Sequence, residues 1–176
     1  QGNRIFLSPD EGLIAYYKFE NNANDETGIN DGVWMGNEAY STGINGQAAK
    51  FVGLGNYIGV NDSSSLRLGD KYTISVWIKP SQSLPWMPIL KPILEKGPGE
   101  SRYMFWLNKA EIEAIGHKEG PTTASTNADI VLDGWSHLIF TFDYSATPQI
   151  RAWKNGVELT LTDNTGIGHT PVSDSI

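Results

Sequence analysis

Tyr72-Thr-Ile-Ser-Val-Trp-Ile-Lys79 alternates cleanly along the chain. Tyr72, Ile74, Val76 and Ile78 fall on one face, and Thr73, Ser75, Trp77 and Lys79 on the other. That is the pattern of a β-strand with one side in a core, and Pro80 stops it. Ser136 to Phe142 repeats the pattern with Leu138, Phe140 and Phe142 in phase. Gln149 to Trp153 and Val157 to Leu161 are joined by Lys154-Asn155-Gly156. Asn-Gly at that point predicts a tight hairpin, because a type I′ turn needs positive φ at both central residues. Leu13 to Phe19, Ile89 to Glu95 and Arg102 to Leu107 are further predicted strands. Ala48 to Phe51 and Tyr57 to Val60 are also read as strands, flanking the turn Gly53-Leu-Gly-Asn56. Helical periodicity is almost absent. Asn108 to Ile115 is the best helix candidate, yet Ile112 and Ala114 beside Glu111 and Glu113 fit strand alternation equally well.

Short strands separated by turn signals predict an all-β sandwich or barrel. Ser81 to Pro92 reads as a loop, its three prolines opposing regular pairing, and Leu84, Trp86, Met87 and Leu90 make it unusually apolar. The 176 residues suit one domain with its own core. Gln1 to Asp10 stands outside that pattern as a linker or extension.

Composition sharpens this picture in three ways. The chain has no cysteine, which excludes disulfides, thiolate metal sites and a thiol nucleophile. The net charge of −7, with no Lys/Arg cluster, argues against nucleic acid. No apolar run approaches the roughly 20 residues of a membrane span. Six Trp, seven Tyr and six Phe are many for a chain of this size. Flat aromatic rings stack on sugar C–H faces while neighbouring polar groups bond the hydroxyls. Trp86, Tyr103, Trp106 and Trp34 lie in or near predicted loops or on strand faces that can be open, and are the candidate ligand contacts. Trp86, in the proline-rich loop, is the one expected to be most exposed. Trp77, Trp135 and Trp153 lie in predicted strands, where packing is the ordinary use of an aromatic.

The stretch Glu20 to Asp31 is crowded with oxygen: Glu20, Asn22, Asn24, Asp25, Asn30 and Asp31, with nothing basic among them. Calcium takes about six to eight oxygens from such a loop, and Gly28 permits a sharp turn. The candidate ligands are Glu20, Asn22, Asp25, Gly28 and Asn30. The spacing is not that of an EF-hand. The competing reading is a plain turn capped by Asp25.

Catalytic patterns are weak. A glycosidase needs two carboxylates about 5 Å, or about 6.5–9.5 Å, apart. Glu111 and Glu113 are the nearest pair, and two such neighbours on one strand face are more often a solvated surface. His117, His137 and His169 lack metal-ligand spacing, and there is no nucleophile elbow or phosphate-binding glycine loop.

The order of segments resembles the laminin-G-like, concanavalin-A-like jelly rolls. The segments are Gly12-Leu-Ile-Ala-Tyr-Tyr-Lys-Phe-Glu20, Asn24-Asp-Glu-Thr-Gly28, Gly46-Gln-Ala-Ala-Lys-Phe51, the strand at Tyr72, Ile93-Leu-Glu-Lys-Gly97, Gly134-Trp-Ser-His-Leu-Ile-Phe-Thr-Phe-Asp143 and Trp153-Lys-Asn-Gly-Val157. The resemblance runs from about residue 11 to residue 176. It implies an antiparallel two-sheet jelly-roll sandwich in a secreted or cell-surface protein, with a structural calcium often held by the early loop through Asp25. It also implies two further strands after the Asn155-Gly156 hairpin, which this sequence does not show; a fragment, a sandwich completed by a strand from a neighbouring chain, and a smaller variant are the three explanations. The fold hosts lectins, glycosidases and adhesion spacers alike. The expected function is a non-catalytic recognition module whose partner is a glycan or a cell-surface protein. A strand-completed assembly subunit and a degenerate glycosidase are the alternatives.

Overall fold

The computed structural model describes residues 12–52, 55–80, 91–96, 102–108, 111–117, 121–127 and 133–161. Side chains are described in all of these except Lys91 and, among residues 102–127, all but Tyr103. These residues form twelve strands and one short 3-10 turn at Ser64–Leu66, with no α-helix among them, and all strand pairing is antiparallel. The chain divides into two compact units, residues 1–67 and 68–176.

In the first unit, β1 (Gly32–Met35) pairs with β4 (Tyr57–Val60), and β2 (Tyr40–Thr42) pairs with β3 (Gln47–Ala49). The two predicted strands on either side of Gly53 therefore do not pair with each other. Each finds a partner from a segment whose alternation is too short to read. Gly32 is required by close approach: a Cβ there would lie 2.5 Å from Ile58 Cγ2 and 3.0 Å from the Ala23 carbonyl oxygen. The predicted strand Leu13 to Phe19 is an extended segment making a single bridge, Tyr17 to Asp25. Its continuation is broken by positive φ at Phe19 and Asn21.

In the second unit, one sheet has the order β12 (Val157–Glu158), β11 (Ile150–Lys154), β10 (Ser136–Asp143), β5 (Lys71–Ile78). The other has the order β6 (Lys91–Lys96), β7 (Arg102–Asn108), β8 (Glu111–His117), β9 (Pro121–Asn127). Where the sequence left helix and strand open, β8 is a strand. Pro92 lies inside β6 rather than in a loop. It is tolerated because β6 stands at the edge of its sheet and a bulge follows between Pro92 and Leu94.

The alternation of β5 and β10 is realised in the packing. Leu138, Phe140, Phe142, Ile150 and Ala152 form the buried cluster, and Tyr72, Ile74, Val76 and Ile78 pack against it. Each large apolar side chain so buried contributes about 1.5–3 kcal/mol relative to exposure. Ile93 of β6 joins the cluster, and Tyr103 of β7 meets Tyr72 at a ring separation of 5.9 Å, so the two sheets share one core as a sandwich does. Burial pushes the Tyr72 phenol well above its ordinary pKa. Asn155 and Gly156 take φ of 50° and 82°, the tight hairpin the sequence predicts. The segments 1–11, 81–90 and 162–176, and with them Trp86, the candidate linker and the question of further strands, lie outside the described residues.

Candidate functional site

Two regions concentrate polar chemistry. The first is the loop from Glu20 to Asp31. Asp25 is buried at 3 % exposure. Its Oδ1 accepts from the backbone N–H of Tyr16 (2.8 Å) and of Thr27 (3.1 Å). Its Oδ2 accepts from the Thr27 hydroxyl (2.5 Å) and the Asn30 N–H (3.0 Å). Burial alone would push the Asp25 carboxyl up; the hydrogen bonds from Thr27, Tyr16 and Asn30 outweigh it and hold the pKa at about 2.

The neighbours are equally committed. Asn30, also buried, accepts from Ser63 Oγ and Ser65 Oγ through Oδ1 and donates from Nδ2 to the Ile14 carbonyl. Asn22 Oδ1 accepts from the Asn24 N–H. Glu20 Oε1 accepts from the Gln47 N–H, against the turn at Gly46. Gly28, at φ 76°, closes the turn through a bond from its N–H to the Asp25 carbonyl.

Calcium coordination needs oxygens converging on open space. Both Asp25 oxygens instead face hydrogen-bond donors, whose partial charge is positive. The residues present do not fit a calcium ion centred on Asp25. Among the described residues no group of three or more His, Asp or Glu side chains is assembled to hold a metal.

The second region is the face of the β12-β11-β10-β5 sheet turned away from the core. Register sets its rows. Trp77 lies opposite His137; Ser75, Ile139, Trp153 and Glu158 form the next row; Thr73, Thr141 and Arg151 the next; Lys71 and Asp143 the last. Trp77 is 47 % exposed. Its ring stacks on His137 at 4.7 Å and 12°, and His137 Nε2 lies 2.8 Å from Ser75 Oγ. The hairpin fixes His137 from below: its N–H donates to Asn155 Oδ1, and its carbonyl accepts from the Asn155 N–H. The Arg151 guanidinium lies 5.2 Å from the centre of the Trp153 ring and grips Glu158 with two bonds of 2.7 and 2.8 Å. That pair raises the pKa of Arg151 and lowers that of Glu158.

Of the ligand contacts expected from sequence, Tyr103 is buried at 8 % exposure against Tyr72, so its ring is a packing residue. Trp34 donates from Nε1 to the Tyr40 hydroxyl at 2.7 Å and its ring meets Tyr40 and Phe51, so it is committed inside its own unit. Trp106 is placed only by its backbone, opposite Pro92 and Glu113, and Trp86 lies outside the described residues. Among the described residues, the aromatics that reach the open face are Trp77 and Trp153. One signal could have found the first: Trp77 shares its alternation phase with Thr73 and Ser75, an aromatic among polar outward positions.

The sequence profile of the concanavalin A-like lectin/glucanases superfamily, Laminin_G_3, matches residues 52–174. The chain belongs to that superfamily. Among solved structures it is similar to domain 4 of AbnA, a GH43 extracellular arabinanase from Geobacillus stearothermophilus, determined in complex with arabinotriose. The TM-score is 0.65 at 23 % identity over 86 % of this chain and 75 % of that one, a likeness of fold. No curated protein matches the chain. Superfamily membership accounts for the all-β sandwich and leaves the ligand to be argued from the sheet face.

Proposed function

We propose that this chain is a non-catalytic, extracellular carbohydrate-recognition module that binds a sugar chain across the open face of the β12-β11-β10-β5 sheet. The observation that carries the reading is Trp77, exposed and ring-stacked on His137, with Ser75 beside it and Trp153 on the same face. Sugar rings present apolar C–H faces and a fringe of hydroxyls, and this face offers flat rings interleaved with hydroxyl and imidazole groups. From sheet spacings the two tryptophans stand roughly 12 Å apart, so they contact separate rings of one chain. A superfamily of lectins and glucanases supports the reading, as does a fold neighbour from an extracellular enzyme seen with arabinotriose.

The described carboxylates of the face suit binding better than catalysis. A general acid needs a raised pKa. Asp143 is held below its ordinary value by Ser145 and Lys71, and Glu158 by Arg151. The test is a glycan array followed by titration of the best sugar into wild type, Trp77→Ala and Trp153→Ala. Binding that both substitutions weaken supports the proposal; an array without a hit, or variants that bind as wild type does, overturns it.

A second reading, protein-mediated adhesion, is favoured by one observation. Val33, Met35 and Tyr57 are exposed together on one face of the β1–β4 ribbon, the composition of a protein contact. Loss of cell-surface adhesion on Val33→Ser or Tyr57→Ser, with sugar binding intact, would establish it.

A further inference from the structure

The open face does not run freely off both ends. Beyond its Thr73–Thr141–Arg151 row, Ala146, Pro148 and Gln149 of the segment from Tyr144 to Gln149 border an open cleft of about 400 Å³. Thr73, Thr141 and Arg151 line it from the face, and Lys71 and Asp143 from the rim. That volume falls within the roughly 300–1,000 Å³ range of small-molecule sites.

The bordering segment is firmly built. Tyr144 donates its N–H to the Asp70 carbonyl (3.0 Å), Asp143 to the Gln149 carbonyl (2.8 Å) and Ala146 to the Asp143 carbonyl (3.1 Å). The Asp143 carboxylate takes the Ser145 N–H and hydroxyl on Oδ1 and Lys71 Nζ on Oδ2.

The charges around the cleft are therefore paired: Lys71 with Asp143, and Arg151 with Glu158. Neutral hydrogen-bonding groups stand beside these pairs. The Thr73 and Thr141 hydroxyls make no bond among the described residues. Gln149 donates from Nε2 to the Tyr144 carbonyl (3.2 Å), while its Oε1 is buried and has no partner among them. The exposed Thr73 hydroxyl and the half-buried Thr141 hydroxyl are the groups within reach of a ligand hydroxyl.

We propose that this cleft holds the terminal unit of a neutral oligosaccharide, whose remaining units run along the face over Trp153 toward Trp77 and His137. The inference rests on the glycan reading and goes beyond it in two respects. The module binds a chain end rather than a chain interior, because the Tyr144–Gln149 segment borders the cleft at this end of the face. It also prefers neutral to carboxylated sugars, because no cation in the cleft is left unpaired.

Titration calorimetry with arabino-, xylo- and cello-oligosaccharides from trioses to hexaoses, together with oligogalacturonides, tests both statements on the full chain. For the neutral series that binds, one protein per chain is expected at every length, with acidic oligomers at least about tenfold weaken. Thr141→Arg, which fills the cleft, should weaken binding by about tenfold or more; Thr141→Val, which removes only the hydroxyl, should weaken it less. Several proteins per long chain, preference for the oligogalacturonides, or wild-type binding by both Thr141 variants while Trp77→Ala is weak would overturn the cleft and leave the face reading standing. No binding by any sugar would overturn both.

Discussion

The Glu20–Asp31 loop and the outer face of the β12-β11-β10-β5 sheet carry similar densities of polar groups and use them in opposite ways. In the loop, Asp25 and Asn30 are buried and their oxygens are met by donors from Tyr16, Thr27, Ser63 and Ser65. On the face, Trp77, Ser75, Thr73 and Arg151 are exposed, and the Thr73 and Thr141 hydroxyls make no bond among the described residues. Polar groups that satisfy one another build structure; polar groups held rigidly apart and facing water are free to bind. A count of oxygens in the sequence does not separate these cases, because the distinction lies in where the backbone N–H groups point.

The largest expected effect falls in the loop. Asp25→Ala leaves four donors without their acceptor and should cost about 3 kcal/mol of stability, read from urea unfolding. Asp25→Asn, which keeps one acceptor oxygen, should cost less. Equal, negligible losses for both would remove the structural role of the loop and with it the comparison.

On the face the expectation reverses. Trp77→Ala should weaken sugar binding by about tenfold and shift stability by no more than about 0.5 kcal/mol. A large loss of stability would show that Trp77 is a packing residue after all.

Acid gives a smaller effect that sharpens the loop's side of the contrast. The Asp25 pKa, held at about 2, is lowered from its ordinary value of 3.8. Its contribution is therefore complete above that ordinary value and is lost as pH falls from about 3.8 towards 2. Wild type should lose stability across that window, and Asp25→Asn should lack this part of the loss.

The smallest expected effect is none. EDTA should leave the melting temperature unchanged, because the Asp25 oxygens are already satisfied. A clear drop on chelation, reversed by calcium, would mean that the loop also serves as a cation site.

Much of the second unit is legible from the chain. The alternation in β5 and β10 names the core residues, and Asn155-Gly156 names the hairpin. These are local patterns, set by side-chain period and turn φ. The first unit is less so. β1 and β2 carry no clear alternation, and the expected strand at Leu13 is stopped by backbone conformations at Phe19 and Asn21 that sequence does not announce. The candidate site was partly readable: the polar phase of β5 contains Trp77. The choice of Tyr103 and Trp34 as ligand contacts could not have been tested without knowing that Tyr72 and Tyr40 wait opposite them.

What the sequence by itself determined is the class: an all-β sandwich of the concanavalin A-like kind, without cysteine chemistry, whose two longest strands, β5 and β10, each carry one apolar face. Only the tertiary structure decided which polar groups are spent and which remain available. Strand register brings Trp77 to His137, and Arg151 to the end of the face that the Tyr144–Gln149 segment borders. Trp77 and His137 lie 60 residues apart along the chain. Such juxtapositions follow from pairing across the sheet, which no local pattern encodes.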